Sequence, residues 1–313
     1  MSGYPKFSVV IPLYNKAESI QKTLKSVLSQ RFEPKEIIVV DDGSTDESLA
    51  QVKALKSDKI RILSQQNQGV SAARNNGVAV STCEYIAFLD GDDLWSPFHL
   101  QTLKDLILRF PQSAFFATAY QKMISENCFV DPKLSTPHFS PKGGLLLNYF
   151  DVASRGDLPF MTSSCAITRR LFDEIGGFPL NEAMGEDQAL FAAAALKTSI
   201  AYSPLVRLYY RTDAENRACD RHLPSAVLPF AQRLLLNIDS LPRSLHDDVR
   251  RYCAAHACHL VKLHLLRWDA VTAAQILEQA VCQPLRAKRI ALMAWCCLAK
   301  VRSLFGSAPQ LES

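Results

Sequence analysis

Residues 85–89 form an apolar run that ends in Asp90-Gly91-Asp92-Asp93. Three carboxylates in four residues repel one another and resist burial. A hard divalent cation relieves that repulsion, because Mg2+ and Mn2+ are held by one or two carboxylates together with substrate phosphates. A solvated acidic turn would carry the same residues, since aspartate is common in turns. Whether other polar clusters converge on the same place separates the two readings.

The flanking pattern says where the turn lies. Residues 7–12, 36–40, 60–63 and 85–89 are short, continuously apolar and rich in β-branched side chains, as in strands buried on both faces. Helical spacing fills the gaps at 17–30, 70–80 and 97–110. Ser44 or Thr45 is placed to cap a further helix, with Asp46 and Glu47 in its first turn. Strand and helix in alternation predict a parallel sheet covered on both sides, and such sheets bind ligands at the carboxyl ends of their strands. Polar clusters stand at three of those ends: Pro12, Tyr14 and Asn15, then Asp41-Asp42, then Asp90 to Asp93. Their convergence on one rim favours a binding site over an isolated acidic turn.

Two more residues belong to that rim. Asp42, just past the second strand, could accept hydrogen bonds from a base or ribose, or could cap a helix. Arg74 faces the rim if Gly69 opens its helix. A guanidinium there suits phosphate or nucleotide, with a surface ion pair as the structural alternative. The chain contains no GxxxxGK[ST] loop, no GxGxxG after the first strand, no GxSxG elbow and no zinc-spaced His/Cys set. A nucleotide here would be held by acids and a metal instead of by a glycine cradle.

These stretches, in this order, resemble the family 2 inverting glycosyltransferases with the GT-A fold. The matching runs are residues 8–15, Asp41-Asp42-Gly43-Ser44-Thr45-Asp46, residues 67–75 with Gly77, and residues 90–95. Gly176-Gly177-Phe178 and Gly185-Glu186-Asp187 complete the set. The resemblance covers about residues 5–215. It implies an α/β, Rossmann-like, mostly parallel sheet with helices on both faces, a nucleotide-sugar donor (a UDP-sugar) and Mn2+ or Mg2+. By motif position, Pro12, Tyr14 and Asp42 would hold the nucleobase, Arg74 would contact the nucleotide, Asp90 the ribose, and Asp92 the metal on the diphosphate. Asp187 would be the catalytic base, with Glu186 beside it on the acceptor side. Asp93 could lie near the sugar or cap the helix that Pro97 helps to start. A base opposite the leaving diphosphate is what inversion requires; capping of a helix is the structural alternative for Asp187. Many relatives carry a histidine shortly after a Tyr-Arg pair. Here Tyr210-Arg211 is followed by Thr212-Asp213, so Arg211, Asn216 or Arg217 would serve the diphosphate instead.

The remaining third reads differently. Residues 224–239, 245–266, 269–282 and 285–305 predict helices, separated by Pro242, by a turn and cap at Arg267-Trp268-Asp269, and by Pro284. The expected organisation is a GT-A domain over 1–215 and a helical C-terminal extension over 216–313. That extension holds 13 Lys and Arg against 7 Asp and Glu, whereas the whole chain of 313 residues is only +4. A basic face suits an anionic surface, and the short apolar run 290–299 between basic residues could lie on a membrane. With no CxxC pair among nine cysteines and no visible signal peptide, a cytoplasmic protein with free thiols is expected, peripheral at most to the inner face of the membrane. The expected partners are the donor and a glycan or lipid-linked acceptor of bacterial surface polysaccharide synthesis, with no nucleic acid. A non-catalytic nucleotide-sugar-binding scaffold is the alternative. A nucleotidyltransferase is disfavoured, since Tyr14-Asn15-Lys16-Ala17 is not a glycine-rich basic loop.

Overall fold

The structure, a computed structural model, describes residues 4–182, 184–214 and 223–305. Two compact units emerge. Among those residues, the first takes 4–152, 156–182 and 186–214, and the second takes 153–155, 184–185 and 223–305.

The first unit is built on a ten-stranded sheet in the order β3-β2-β1-β4-β9-β6-β10-β5, with β7 beside β6 and β8 beside β10. Strands β1 (Phe7–Leu13), β2 (Glu36–Asp41), β3 (Ile60–Ser64) and β4 (Tyr85–Phe88) alternate with helices α1 (Ile20–Leu28), α2 (Ser48–Lys53) and α3 (Val70–Val80). These four strands run parallel, in registers that pair Leu13 with Asp41 and Val10 with Phe88. Next come β5 (Leu94–Trp95), α4 (His99–Arg109), β6 (Phe115–Ser125), β7 (Cys128–Val130), β8 (Gly144–Leu146), α5 (Tyr149–Arg155), β9 (Cys165–Thr168), α6 (Arg169–Glu174), α7 (Glu186–Ala195) and β10 (Ile200–Arg211). Strand β9 runs antiparallel to both β4 and β6. Periodicity could not reveal that reversal, since a central strand buried on both faces is continuously apolar in either direction.

Alternate residues of β1 and β2 face opposite sides. Val9, Ile11, Ile37 and Val39 join α1 and α4 in the larger core, while Ile38 and Val40 pack with Ala73 of α3. Helix α3 lies close to the sheet because Gly77 has no side chain: a Cβ there would stand 2.4 Å from Val10 Cγ1. That approach brings Arg74, three residues earlier on the helix, to the end of β4.

The capping expected of Ser44 and Thr45 does not occur. Helix α2 starts later, at Ser48; its N-cap residue Glu47 makes no side-chain cap, and Asp46 Oδ1 accepts from the Ser48 N–H at 2.9 Å. Both residues are instead drawn to Asn15, whose backbone is left-handed at φ 50°. The Asn15 N–H donates to Ser44 Oγ at 3.2 Å, and its Oδ1 accepts from the Thr45 N–H at 2.8 Å.

The second unit is helical: α8 (Pro229–Leu236), α9 (His246–Leu266), α10 (Ala270–Glu278) and α11 (Arg286–Phe305). Tyr252, Cys253, Cys258 and Val261 of α9 are buried, as are Ile276 and Cys282. Asp269 caps α10 as expected, its Oδ1 accepting from the Thr272 N–H at 3.0 Å. Its other oxygen meets His264 Nδ1 at 3.0 Å, and His264 Nε2 lies 2.9 Å from the Pro224 carbonyl.

Candidate active site

The carboxyl ends of β1, β2 and β4 meet at the acidic turn. Gly91 permits the contact, since a Cβ there would lie 3.2 Å from the carbonyl of the buried Pro12. The Gly91 carbonyl accepts from the hydroxyls of Ser19 and Thr23, each at 3.1 Å, so α1 clamps the turn from one side. Trp95 closes it from below: its indole N–H donates to the Ser163 carbonyl at 2.6 Å, and its ring stacks on His99.

Arg74 is the hub of the site. It is 3 % exposed, and its guanidinium reaches Asp90 Oδ1 at 2.7 Å and Glu186 Oε1 at 3.1 Å. Its positive face lies 4.9 Å from the centre of the Phe178 ring. Burial alone would depress the pKa of the guanidinium, but Asp90 and Glu186 more than reverse that effect, so the charge is held firmly. Phe178 is placed by its neighbour on the helix. Asn75 donates to the Phe178 carbonyl at 2.8 Å and accepts from its N–H at 3.0 Å. Gly177, at φ 68°, makes this docking possible, because a Cβ there would press on Asn75 Oδ1 at 2.9 Å.

Asp187 follows Glu186 in the first turn of α7, entered through Gly185 at φ 90°. Its Oδ1 accepts from the Gln188 N–H at 2.7 Å. Its carboxyl is pushed up to about 7, first by burial and then by the charge of Glu186, with Arg74 opposing. A carboxylate poised near neutrality is suited to taking a proton from an attacking hydroxyl. Asp90, Arg74, Glu186 and Asp187 thus form one continuous electrostatic chain from the acidic turn to the start of α7.

The two other acids of the turn diverge. Asp92 Oδ2 is 2.6 Å from Lys16 Nζ, both side chains being largely buried. Burial raises the Asp92 pKa, Lys16 opposes and Asp90 adds to the rise. Asp93, expected beside the sugar or at a helix cap, is turned inward at 1 % exposure. Its Oδ1 accepts from the Arg211 N–H at 3.0 Å and ties the end of β10 to the turn. Burial, then the charges of Asp92 and Asp90, push its carboxyl well above the usual carboxylate range. The reason is positional: Asp92 points to the rim, so its neighbour points into the fold.

Asp42 sits at the rim but spends most of its hydrogen-bonding capacity on the protein. It accepts from Gln65 Nε2 and from the N–H groups of Gln68 and Gly69, each at 2.8 Å, and so fixes the segment that opens α3. Asp41 accepts from the Ser44 N–H at 3.1 Å, which makes it a loop brace. Tyr14 is half-buried on the same rim. The Arg211 guanidinium is bound to Asp213 Oδ1 at 3.1 Å, which draws on the charge expected for a diphosphate. Asn216 and Arg217 lie outside the described residues. Sequence reasoning gave no role to Lys16, Asn75 or Phe178, although all three stand inside or beside the quoted runs. Their charge, amide and ring were visible, but their partners were 76, 103 and 104 positions away.

The acids can be tested against a divalent cation. Among the described residues no group of three His, Cys, Asp or Glu side chains could enclose a metal. Asp92 offers one carboxylate already matched to a cation, the Lys16 ammonium. That donor set fits an Mg2+ or Mn2+ ion carried on phosphates, not a cage made of protein alone.

Sheet order, helices on both sides and an acidic turn at the rim together define a GT-A fold. The model of glycosyl transferase family 2 matches residues 8–176, more than half of the chain, and the protein belongs to that family. Over 98 % of its length it superposes on S. aureus TarS 1–349 in complex with UDP-GlcNAc, with a TM-score of 0.67 at 20 % identity and 94 % of that chain covered. It is 34 % identical over 204 residues to an uncharacterized glycosyltransferase of Rickettsia conorii, covering 62 % of this chain and 31 % of that protein. A cholesterol galactosyltransferase of Borreliella burgdorferi is 43 % identical over 90 residues, covering 28 % of this chain and 25 % of that protein. The chain spans about a third of the length of the curated relatives it matches.

Proposed function

We propose that this protein is an inverting glycosyltransferase that moves a sugar from a UDP-sugar to a hydroxyl of a glycan or lipid-linked acceptor, in the synthesis of a bacterial surface polysaccharide. The observation that carries the reading is the chain Asp90–Arg74–Glu186–Asp187, which joins an acid of the donor turn to a carboxylate suited to act as base. The crystal complex of TarS with UDP-GlcNAc supports the choice of donor. Asp187 takes the proton of the acceptor hydroxyl as its oxygen forms a bond to the sugar's anomeric carbon. The bond from that carbon to the diphosphate breaks on the opposite face, and UDP leaves. Asp92 is the protein's ligand for Mg2+ or Mn2+, which when bound supplies charge stabilisation to the leaving diphosphate. Arg74 keeps Glu186 from drifting toward the base and holds Asp90 toward the nucleotide. Pro12, Tyr14 and Asp42 line the nucleobase side, and Arg217 contacts the diphosphate.

Residues 1–215 are the catalytic domain in this reading, and 216–313 are the extension that meets the acceptor's environment. Helix α11 exposes Ile290, Met293 and Leu298 near the exposed Arg286 and Lys288, a pattern suited to an anionic membrane surface at the cytoplasmic face. Among the described residues, no helix is long and apolar enough to cross a membrane. A panel of nucleotide sugars with Mn2+ or Mg2+, scored for nucleotide release and sugar transfer, tests the activity. Turnover of one donor that Asp187→Ala abolishes supports it, whereas transfer that survives Asp187→Ala removes the base assignment. Binding of a nucleotide sugar without turnover of any donor would mark a scaffold. Flotation with anionic liposomes tests the membrane contact, and absence of binding at low salt retires it.

A further inference from the structure

The acidic turn already holds a cation, and it comes from the chain itself. Lys16 Nζ lies 2.6 Å from Asp92 Oδ2, with 12 % and 14 % of the two side chains exposed. Four hydrogen bonds fix the backbone from which that side chain starts. The Lys16 N–H donates to Ser48 Oγ at 2.7 Å, and the next N–H, of Ala17, donates to Asp46 Oδ2 at 3.1 Å. Asn15, one residue earlier, is pinned by Ser44 and Thr45. The Lys16 stem passes beside Gly91, where a Cβ would stand at an ordinary contact distance of 3.6 Å from Lys16 Cγ. The backbone is therefore held, while the head group is the last part of a flexible side chain. Asp90, the other rim acid of the turn, is committed to Arg74 at 2.7 Å and is not a competing partner.

We propose that Lys16 acts as the resident cation of Asp92, admits a divalent ion there only together with a diphosphate, and turns its ammonium onto that diphosphate once displaced. The inference rests on the reading of Asp92 as the metal side of a nucleotide-sugar site. Two positive charges cannot share one carboxylate without strong repulsion, whereas a diphosphate adds enough negative charge to hold both. Lys16 thereby keeps the carboxylates of an empty site from trapping loose divalent ions. An ammonium is a compact point charge on a rotatable stem, so the swing from carboxylate to phosphate needs no backbone movement.

Mn2+ binding, followed by the loss of the free-ion electron paramagnetic resonance signal, tests this without any turnover. Wild-type protein is titrated with Mn2+ alone and with UDP, beside Lys16→Met and Lys16→Arg. Wild type is expected to bind Mn2+ at least ~100-fold more tightly with UDP than without it, which corresponds to about 2.7 kcal/mol. Lys16→Met is expected to bind Mn2+ alone about 10-fold more tightly than wild type, and to bind UDP in the presence of Mn2+ about 10-fold more weakly. Lys16→Arg, which keeps the charge, is expected to follow wild type in Mn2+ alone. Equal binding of Mn2+ alone by wild type and Lys16→Met overturns the proposal. So does a wild type that binds Mn2+ as tightly without UDP as with it, a result that needs no variant. If UDP elicits no Mn2+ binding in any form, Asp92 is not a metal ligand and the proposal falls with that reading. UDP-dependent Mn2+ binding with no gain in Lys16→Met would sink the role of Lys16 alone.

Discussion

Glu186→Gln isolates the electrostatics of the base. Asp187 stands at about 7 because burial raises it, Glu186 adds to the rise, and Arg74 opposes both. Gln at 186 keeps an oxygen that can accept from Arg74 Nη1, now 3.1 Å from Glu186 Oε1, so the geometry is retained while a negative charge is removed. A neighbouring like charge moves a carboxyl by about 1 to 3 pKa units. Taking the low end, because Arg74 already neutralises much of Glu186, Asp187 falls from about 7 to about 6. The deprotonated fraction at pH 6 then rises from ~0.1 to ~0.5, whereas at pH 8 it stays above ~0.9 in both proteins. The assay is kcat/KM against pH between 5 and 9, each protein normalised to its own alkaline plateau. The acid limb of Glu186→Gln is expected to move down by about one unit, with about a fivefold relative gain at pH 6. The plateau itself can fall if Glu186 touches the acceptor, and that leaves the midpoint readable. A midpoint that stays put or moves up would refute the assignment of Asp187 as the titrating base.

Further outcomes follow from the same geometry. Asp187→Asn abolishes transfer but stabilises the fold at pH 8. A carboxyl raised in the folded state binds more protons folded than unfolded, so wild-type stability falls as pH rises between about 4 and 7. The variant should gain about 1–2 kcal/mol at pH 8 in urea unfolding, since part of Asp187 meets solvent, and nothing at pH 4. Arg74→Met leaves Asp90 and Glu186 unmatched and should cost about 3 kcal/mol, read by the same unfolding; a loss below ~1 kcal/mol would mean the hub does not hold the site together. Gly77→Ala drives a methyl group into Val10 and should cost about 1–3 kcal/mol, a drop of several degrees in Tm, with Arg74 displaced and kcat lowered. Asn75→Ala removes both hydrogen bonds to the Phe178 backbone and should cost about 1–3 kcal/mol; unchanged kcat would show that Phe178 does not need to sit over Arg74.

Much of the frame was legible in the chain. Four apolar runs predicted β1 to β4, and Gly69 does open α3, as placing Arg74 on the rim requires. Asp269 caps its helix as its spacing suggested. These features are local: a strand buried on both faces must be apolar throughout, and a helix start needs its cap within a few residues. The reversal of β9 was not legible, because burial leaves no mark of strand direction.

The sequence by itself determined which chemistry was possible: acids clustered after strands, one arginine on the helix beside them, and a Glu-Asp pair after a glycine. Tertiary structure alone decided how those charges are matched. It gave Asp90 and Glu186 to Arg74, Asp92 to Lys16 and Asp93 to the backbone of Arg211, over separations of 16 to 118 residues. It also turned Asp42 from a free rim acid into an anchor for the segment before α3. The physical reason is that a charge's partner and desolvation depend on distance in space, and no periodicity along the chain encodes which strand ends will meet.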